Sequence, residues 1–175
     1  MSQEEVRVLG IDPGTSVTGW GVVTRSGSSF RHIASGALEL GSTRSLGERL
    51  GEIRSAVVEL CRVHGPTALA LEKAFVAHNV QSAFRLGEAR GAVLIAAADA
   101  GVAVFEYAPA QVKSTVVGYG RADKRQIMRG VALRLGTSLA ERADEADALA
   151  LALCHLIGWR LRALGVAGRR RGAAL

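Results

Sequence analysis

The sequence predicts an α/β protein in which a mixed sheet is covered by helices. Three observations lead there. Strand-like alternation opens the chain, later strands alternate with helix-period segments, and 49% of the 175 residues are hydrophobic. That is enough for one well-buried core and too little chain for two comfortable domains.

The elements follow in order. Val6 to Asp12 alternates as a strand, and Gly19 to Arg25 and Phe30 to Leu40 supply two more, joined by the hairpin signal RSGSS. From Ser45, the residues Leu46, Leu50, Ile53, Val57 and Leu60 keep helical spacing until Gly65-Pro66 stops them. Thr67 to Glu72 makes a fourth strand. Residues 79 to 100 make a second helix, with Ala83, Gly87 and Gly91 four apart. Such a stripe of small residues serves either close packing inside the core or a self-association face. Val102 to Tyr107 is a short fifth strand, Asp123 to Leu135 a basic helix, and Asp144 to Leu164 the last helix.

The formal net charge of +6 asks for a polyanionic partner, nucleic acid or an acidic membrane surface. Residues 158 to 175 hold five arginines and no acid, and without them the charge falls to +1. A single domain over residues 1–164 and a basic, flexible tail over 165–175 are therefore expected. The longest apolar runs, such as ALALALC at 148 to 154, fall well short of the roughly 18 residues needed to cross a bilayer. With an acidic rather than signal-like MSQEEVRV start, the expectation is a soluble, cytoplasmic protein without a membrane partner. Cys61 and Cys154 lack CxxC spacing and read as small core residues.

Four acids stand out. Asp12 closes an apolar strand and enters Pro13-Gly14, which is sound turn chemistry in itself. On that strand Asp12 shares a face with Gly10 and Val8, and on the fourth strand Glu72 shares one with Ala70 and Ala68. Small residues beneath a terminal acid suit a helix packed close to the sheet. The last helix falls in RADEADALALALCHL, with Asp144 and Asp147 three apart on one face. Acids in a first helical turn also complement the helix dipole. Convergence with Asp12 and Glu72 would make a cluster too repulsive to stand alone, and hard divalent cations neutralise such clusters. Magnesium fits this set better than zinc, and two ions about 4 Å apart can activate a water and stabilise the leaving oxygen of a phosphodiester.

Four ordered blocks, GIDPGTSVTGWGV, LALEKAFVAHNVQSAFRLGEARGA, YAPAQVKSTVVGYGRADK and DEADALALALCH, resemble the RuvC family of bacterial Holliday junction resolvases. The resemblance runs from about residue 6 to residue 157. It implies a ribonuclease H-like nuclease domain with a mixed five-stranded sheet, three antiparallel strands plus two parallel, flanked by helices. It also implies a homodimer that nicks two opposed strands of a four-way DNA junction with Mg2+, leaving 5′-phosphate and 3′-hydroxyl ends, in recombination and repair. Two magnesium ions per site, with Mn2+ as a substitute, and the branch-migration proteins RuvA and RuvB as candidate partners belong to the same implication.

By position, Asp12, Glu72, Asp144 and Asp147 match the family's metal-binding catalytic acids, although relatives often carry histidine at the place of Asp144. Phe75 matches a phenylalanine that stacks near the junction centre; its plain alternative is a buried aromatic. Lys113 and Lys124 match lysines near the scissile phosphate and would otherwise read as solvated charges. Ala110 and Tyr119 depart from the family pattern, so one DNA contact is expected to be lost or replaced. Three other readings fit parts of the same sequence. GIDPGT also resembles the phosphate-binding turn of sugar-kinase and actin-like ATPases, which need a second lobe and a second such turn. The YqgF group shares the first strand and is told apart by an RNA substrate. A non-catalytic junction-binding module is told apart by the absence of strand scission.

Overall fold

The computed structural model describes residues 5–73, 80–137 and 143–163, with side chains described to Trp159. Its elements are β1 (Val6–Asp12), β2 (Val17–Ser26), β3 (Ser29–Glu39), α1 (Leu46–His64), β4 (Ala68–Glu72), α2 (Val80–Asp99), β5 (Ala103–Tyr107), α3 (Pro109–Val117), α4 (Lys124–Leu135) and α5 (Ala143–Ala163). The strands form one sheet in the order β3-β2-β1-β4-β5. The β1–β2 and β2–β3 pairs are antiparallel; β1–β4 and β4–β5 are parallel. The mixed sheet expected from the sequence is thus present. Gly27, at φ 61°, turns the hairpin that RSGSS signalled.

The sheet buries both faces, but with different residues. Leu9 and Ile11 on β1 and Leu69 and Leu71 on β4 face α1 and α2, where Ile53, Val57 and Cys61 join them. Val8, Ala68 and Ala70 face the other way, under α5 and beside α3 and α4. Here main chain meets main chain. A Cβ at Gly10 would lie 2.0 Å from the Ala148 carbonyl oxygen and 2.9 Å from the Ala152 nitrogen. At Gly19 it would lie 2.2 Å from the Asp144 carbonyl oxygen. The glycines on β1 and β2 and the alanines on β4 are therefore what let α5 settle onto the sheet, its residues Ala148 to Leu156 all buried.

Local signals account for the helix ends. Ser45 and Glu48 form a reciprocal capping box at the start of α1, and Gly65, in the left-handed region, closes it before Pro66. Asp123 and Gln126 repeat the capping box at α4, whose Ile127, Val131 and Leu135 form its buried stripe. Both cysteines are buried, as small core residues. Among the described residues no helix is long and apolar enough to cross a membrane.

Two expectations need correction. α3 is not among the elements the sequence predicts: Pro109 suits a first helical position, but KSTVV ends in three β-branched residues, which disfavour helix. Only the buried Val112 and Val116, four apart, betray the helix. The stripe on α2 does not pack inside the core either. A Cβ at Gly87 or Gly91 would meet nothing within 4 Å, and the helix buries its opposite flank, Ala89, Ala92, Val93, Ala96 and Ala97. Phe75 and the arginine-rich tail lie outside the described residues.

Candidate active site

Two strands and a helix lead to one spot. Asp12 ends β1, and the turn beyond it is fixed by the buried Thr18, whose hydroxyl donates to the Gly14 carbonyl at 2.8 Å and accepts from the Gly14 amide at 3.2 Å. Glu72 ends the neighbouring parallel strand, one residue past the last β1–β4 pair, Ile11–Leu71. Asp147 lies in the second turn of α5, held over both strand ends by the close approach at Gly10 and Gly19.

Asp12, Glu72 and Asp147 line one cavity of about 310 Å³ with Lys113 from α3 and Lys124 from α4. The apolar part of its wall comes from Pro109, Val112, Ile127, Ala150 and Leu151. Lys124 Nζ stands 3.4 Å from Asp147 Oδ2. Asp144, one turn earlier, lies outside the cavity wall but close enough for its charge to act on Asp12 and Asp147.

Burial and repulsion dominate the electrostatics. Burial first, and then the charges of Glu72, Asp147 and Asp144, push the Asp12 carboxyl up to about 7, with Lys124 opposing. Glu72 is raised by burial and by Asp147, against Arg90 and Lys113. Asp147 is raised by burial, and by Asp144 to a lesser degree, against Lys124 and Lys113. Carboxyls that hold their protons this strongly are short of positive charge, and the two lysines do not make up the shortfall. The donor set is oxygen alone, which suits a hard cation such as Mg2+ or Mn2+ and not zinc. Among the described residues no three such side chains already close around one point. A divalent cation bound among these carboxylates would supply the missing positive charge.

The family model described as crossover junction endodeoxyribonuclease RuvC matches residues 8–155. The chain belongs to the RuvC family. A RuvC relative from Rubrobacter xylanophilus is 44% identical over 171 residues, 97% of this chain and 96% of the relative. One from Pseudomonas aeruginosa is 45% identical over 170 residues, covering 96% of this chain and 97% of the relative. Among solved structures, that of Thermus thermophilus RuvC in complex with Holliday junction substrate superimposes with a TM-score of 0.85 at 37% identity, covering 93% of this chain and 98% of that one. The RuvC-family fold here is accordingly ribonuclease H-like, and the family is one of metal-dependent nucleases.

Against the RuvC pattern, the structure brings Asp12, Glu72, Asp147, Lys113 and Lys124 together and leaves Asp144 at the margin. Ala110 is exposed; Tyr119 is exposed as well and lines a second hollow with Gln126 and Arg129. Two residues near the site escaped the sequence. His155, buried in α5, hydrogen-bonds the Tyr107 hydroxyl at 2.8 Å and packs against the Phe105 ring, beneath the end of β5. Arg90 is buried on α2 and donates to the Glu72 main-chain carbonyl. Helical phase could have found Arg90, because it lies three and seven residues before the buried Val93 and Ala97.

Proposed function

We propose that this chain is a crossover junction endodeoxyribonuclease that resolves Holliday junctions, with Asp12, Glu72, Asp144 and Asp147 as its metal-binding catalytic acids. The observation that carries this is one cavity in which three acids from β1, β4 and α5 face two lysines, in a chain of this family. The acids hold two Mg2+ ions, with Mn2+ able to replace them, and when bound these supply an activated water and stabilise the leaving oxygen. Lys113 and Lys124 sit where a phosphodiester entering the cavity would meet positive charge, so they orient the scissile phosphate. As that phosphate approaches, Lys124 exchanges its Asp147 partner for substrate. Phe75 holds junction bases apart, and the tail adds salt-sensitive affinity. The cytoplasm is the compartment proposed.

The active form is a homodimer, which places one site at each of two equivalent strands. The outward face of α2 supports this: Val80 and Phe84, 65% and 70% exposed, and Ile95 at 55% flank the open Gly87 and Gly91. A face this apolar is suited to meeting its own copy. Phe84→Glu should shift the protein to monomer in sedimentation equilibrium and turn paired cuts into single nicks. An unchanged dimer mass would exclude this face. Handover to RuvA and RuvB is part of the same proposal.

The deciding experiment follows labelled strands of a synthetic four-way junction with Mg2+, using native protein, Asp147→Asn and a linear duplex control. Symmetric, ligatable cuts confined to the junction and lost in the variant are expected. Tight binding without cuts would leave only a binding module, and indifference to the junction would point to structured RNA.

A further inference from the structure

We infer that Arg90 is a positioning residue for the acid cluster, acting through the main chain of Glu72. The inference rests on the assignment of Glu72 to the hydrolytic site.

Arg90 stands among alanines on the buried flank of α2, where an unpaired guanidinium would be costly. Among the described residues it has two partners. One arm donates to the Glu72 carbonyl oxygen, and the other pairs with the Glu106 carboxylate on β5. Glu106 lies opposite Leu71 in the β4–β5 ladder, on the face that packs against α2. The Glu72 side chain points to the other face, into the acid cavity. Arg90 therefore grips the last residue of β4 from behind.

That grip matters because β4 loses support at this point. The pairing with β1 ends at Ile11–Leu71, and the amide of Lys73 is held on the opposite side by the Tyr107 carbonyl at 2.9 Å. Fixing the Glu72 carbonyl as well leaves the peptide plane beneath the carboxylate no free rotation. The planar fork of arginine can hold a carbonyl and a carboxylate together, which a lysine ammonium cannot do with the same rigidity. Its charge also opposes the burial and the Asp147 repulsion that raise the Glu72 carboxyl.

The test measures Mn2+ binding by electron paramagnetic resonance without DNA, single-turnover junction cleavage, junction affinity without divalent metal, and melting temperature. Arg90→Met should weaken Mn2+ binding by about 10-fold or more, as loss of an outer partner of a metal ligand does. Cleavage should fall with it while junction Kd stays within about twofold. Arg90→Lys should recover part of both losses. Glu106→Gln, which leaves Arg90 its carbonyl and an amide acceptor, should lose less than about threefold. Native Mn2+ affinity in Arg90→Met, or junction affinity falling in parallel with cleavage, would overturn the assignment. Should Arg90→Met not fold, Arg90→Lys decides alone: weakened Mn2+ binding at native melting temperature supports the role, and native binding ends it. Asp147→Asn runs alongside. Undiminished Mn2+ binding there removes the metal site itself, and the role given to Arg90 falls with it.

Discussion

Asp12→Asn should abolish junction cleavage, by about 10^3-fold or more, equivalent to about 4 kcal/mol of transition-state stabilisation, and yet make the metal-free protein more stable at pH 8. Both effects have one cause. Asp12 is the most buried of the cavity acids and faces Glu72, Asp147 and Asp144 with only Lys124 in relief, so its carboxyl is raised from 3.8 to about 7. Between those values the folded state holds a proton that the unfolded state has released. Stability from this group therefore falls as pH rises from about 4 to 7 and stays low above that. The amide removes the charge and with it the penalty. Three units would be worth about 4 kcal/mol for an isolated group; shared among coupled acids in an open cavity, about 1–2 kcal/mol is expected at pH 8. The gain should vanish near pH 4, where both side chains are neutral. Denaturant titrations in chelator at pH 8 and pH 4 check this, and equal differences at the two values would refute the account. With Mg2+ present the order should reverse, because the native cluster gains a ligand that the variant holds less well.

Gly10→Ala should be among the most damaging single substitutions in the chain, destabilising it by about 4 kcal/mol or more, beyond ordinary overpacking. The new methyl would sit 2.0 Å from the Ala148 carbonyl oxygen and 2.9 Å from the Ala152 nitrogen, and neither can rotate away. α5 would have to lift, carrying Asp147 off the strand ends. A matched control separates this clash from the general effect of adding a methyl to glycine. Gly51 lies in α1 with nothing within 4 Å of a Cβ, so Gly51→Ala should gain up to about 1 kcal/mol from helix propensity. Urea unfolding of both variants checks the pair. Similar small changes in the two would mean that α5 is not seated as described.

Period and spacing made the site's frame legible. Alternation placed Asp12 over Gly10 and Val8 and Glu72 over Ala70 and Ala68, and parallel pairing of β1 with β4 set the two acids side by side. The three-residue spacing of Asp144 and Asp147 put both on one flank of α5, though only the second reaches the cavity wall. What stayed hidden depended on tertiary choices. KSTVV becomes helix only because Val112 and Val116 find the core beside α5. Gly87 and Gly91 announce a close neighbour without saying whether it belongs to the same chain. The helical phase of Arg90 marks it as buried, but its partners, a backbone carbonyl and a glutamate on β5, are set by tertiary packing and leave no mark in local sequence.

The bed of α5 has a further meaning for the chemistry. Where helix and sheet meet through side chains, their separation drifts as rotamers exchange and as the core expands with heat. Beneath the start of α5 the spacing is set by backbone atoms on both sides, at Gly10 and Gly19. Such a joint has no rotamers to explore, so the height of Asp147 over the strand ends behaves as a fixed dimension of the molecule. Thermal adjustment at the site is left to the carboxylate torsions and to the lysines.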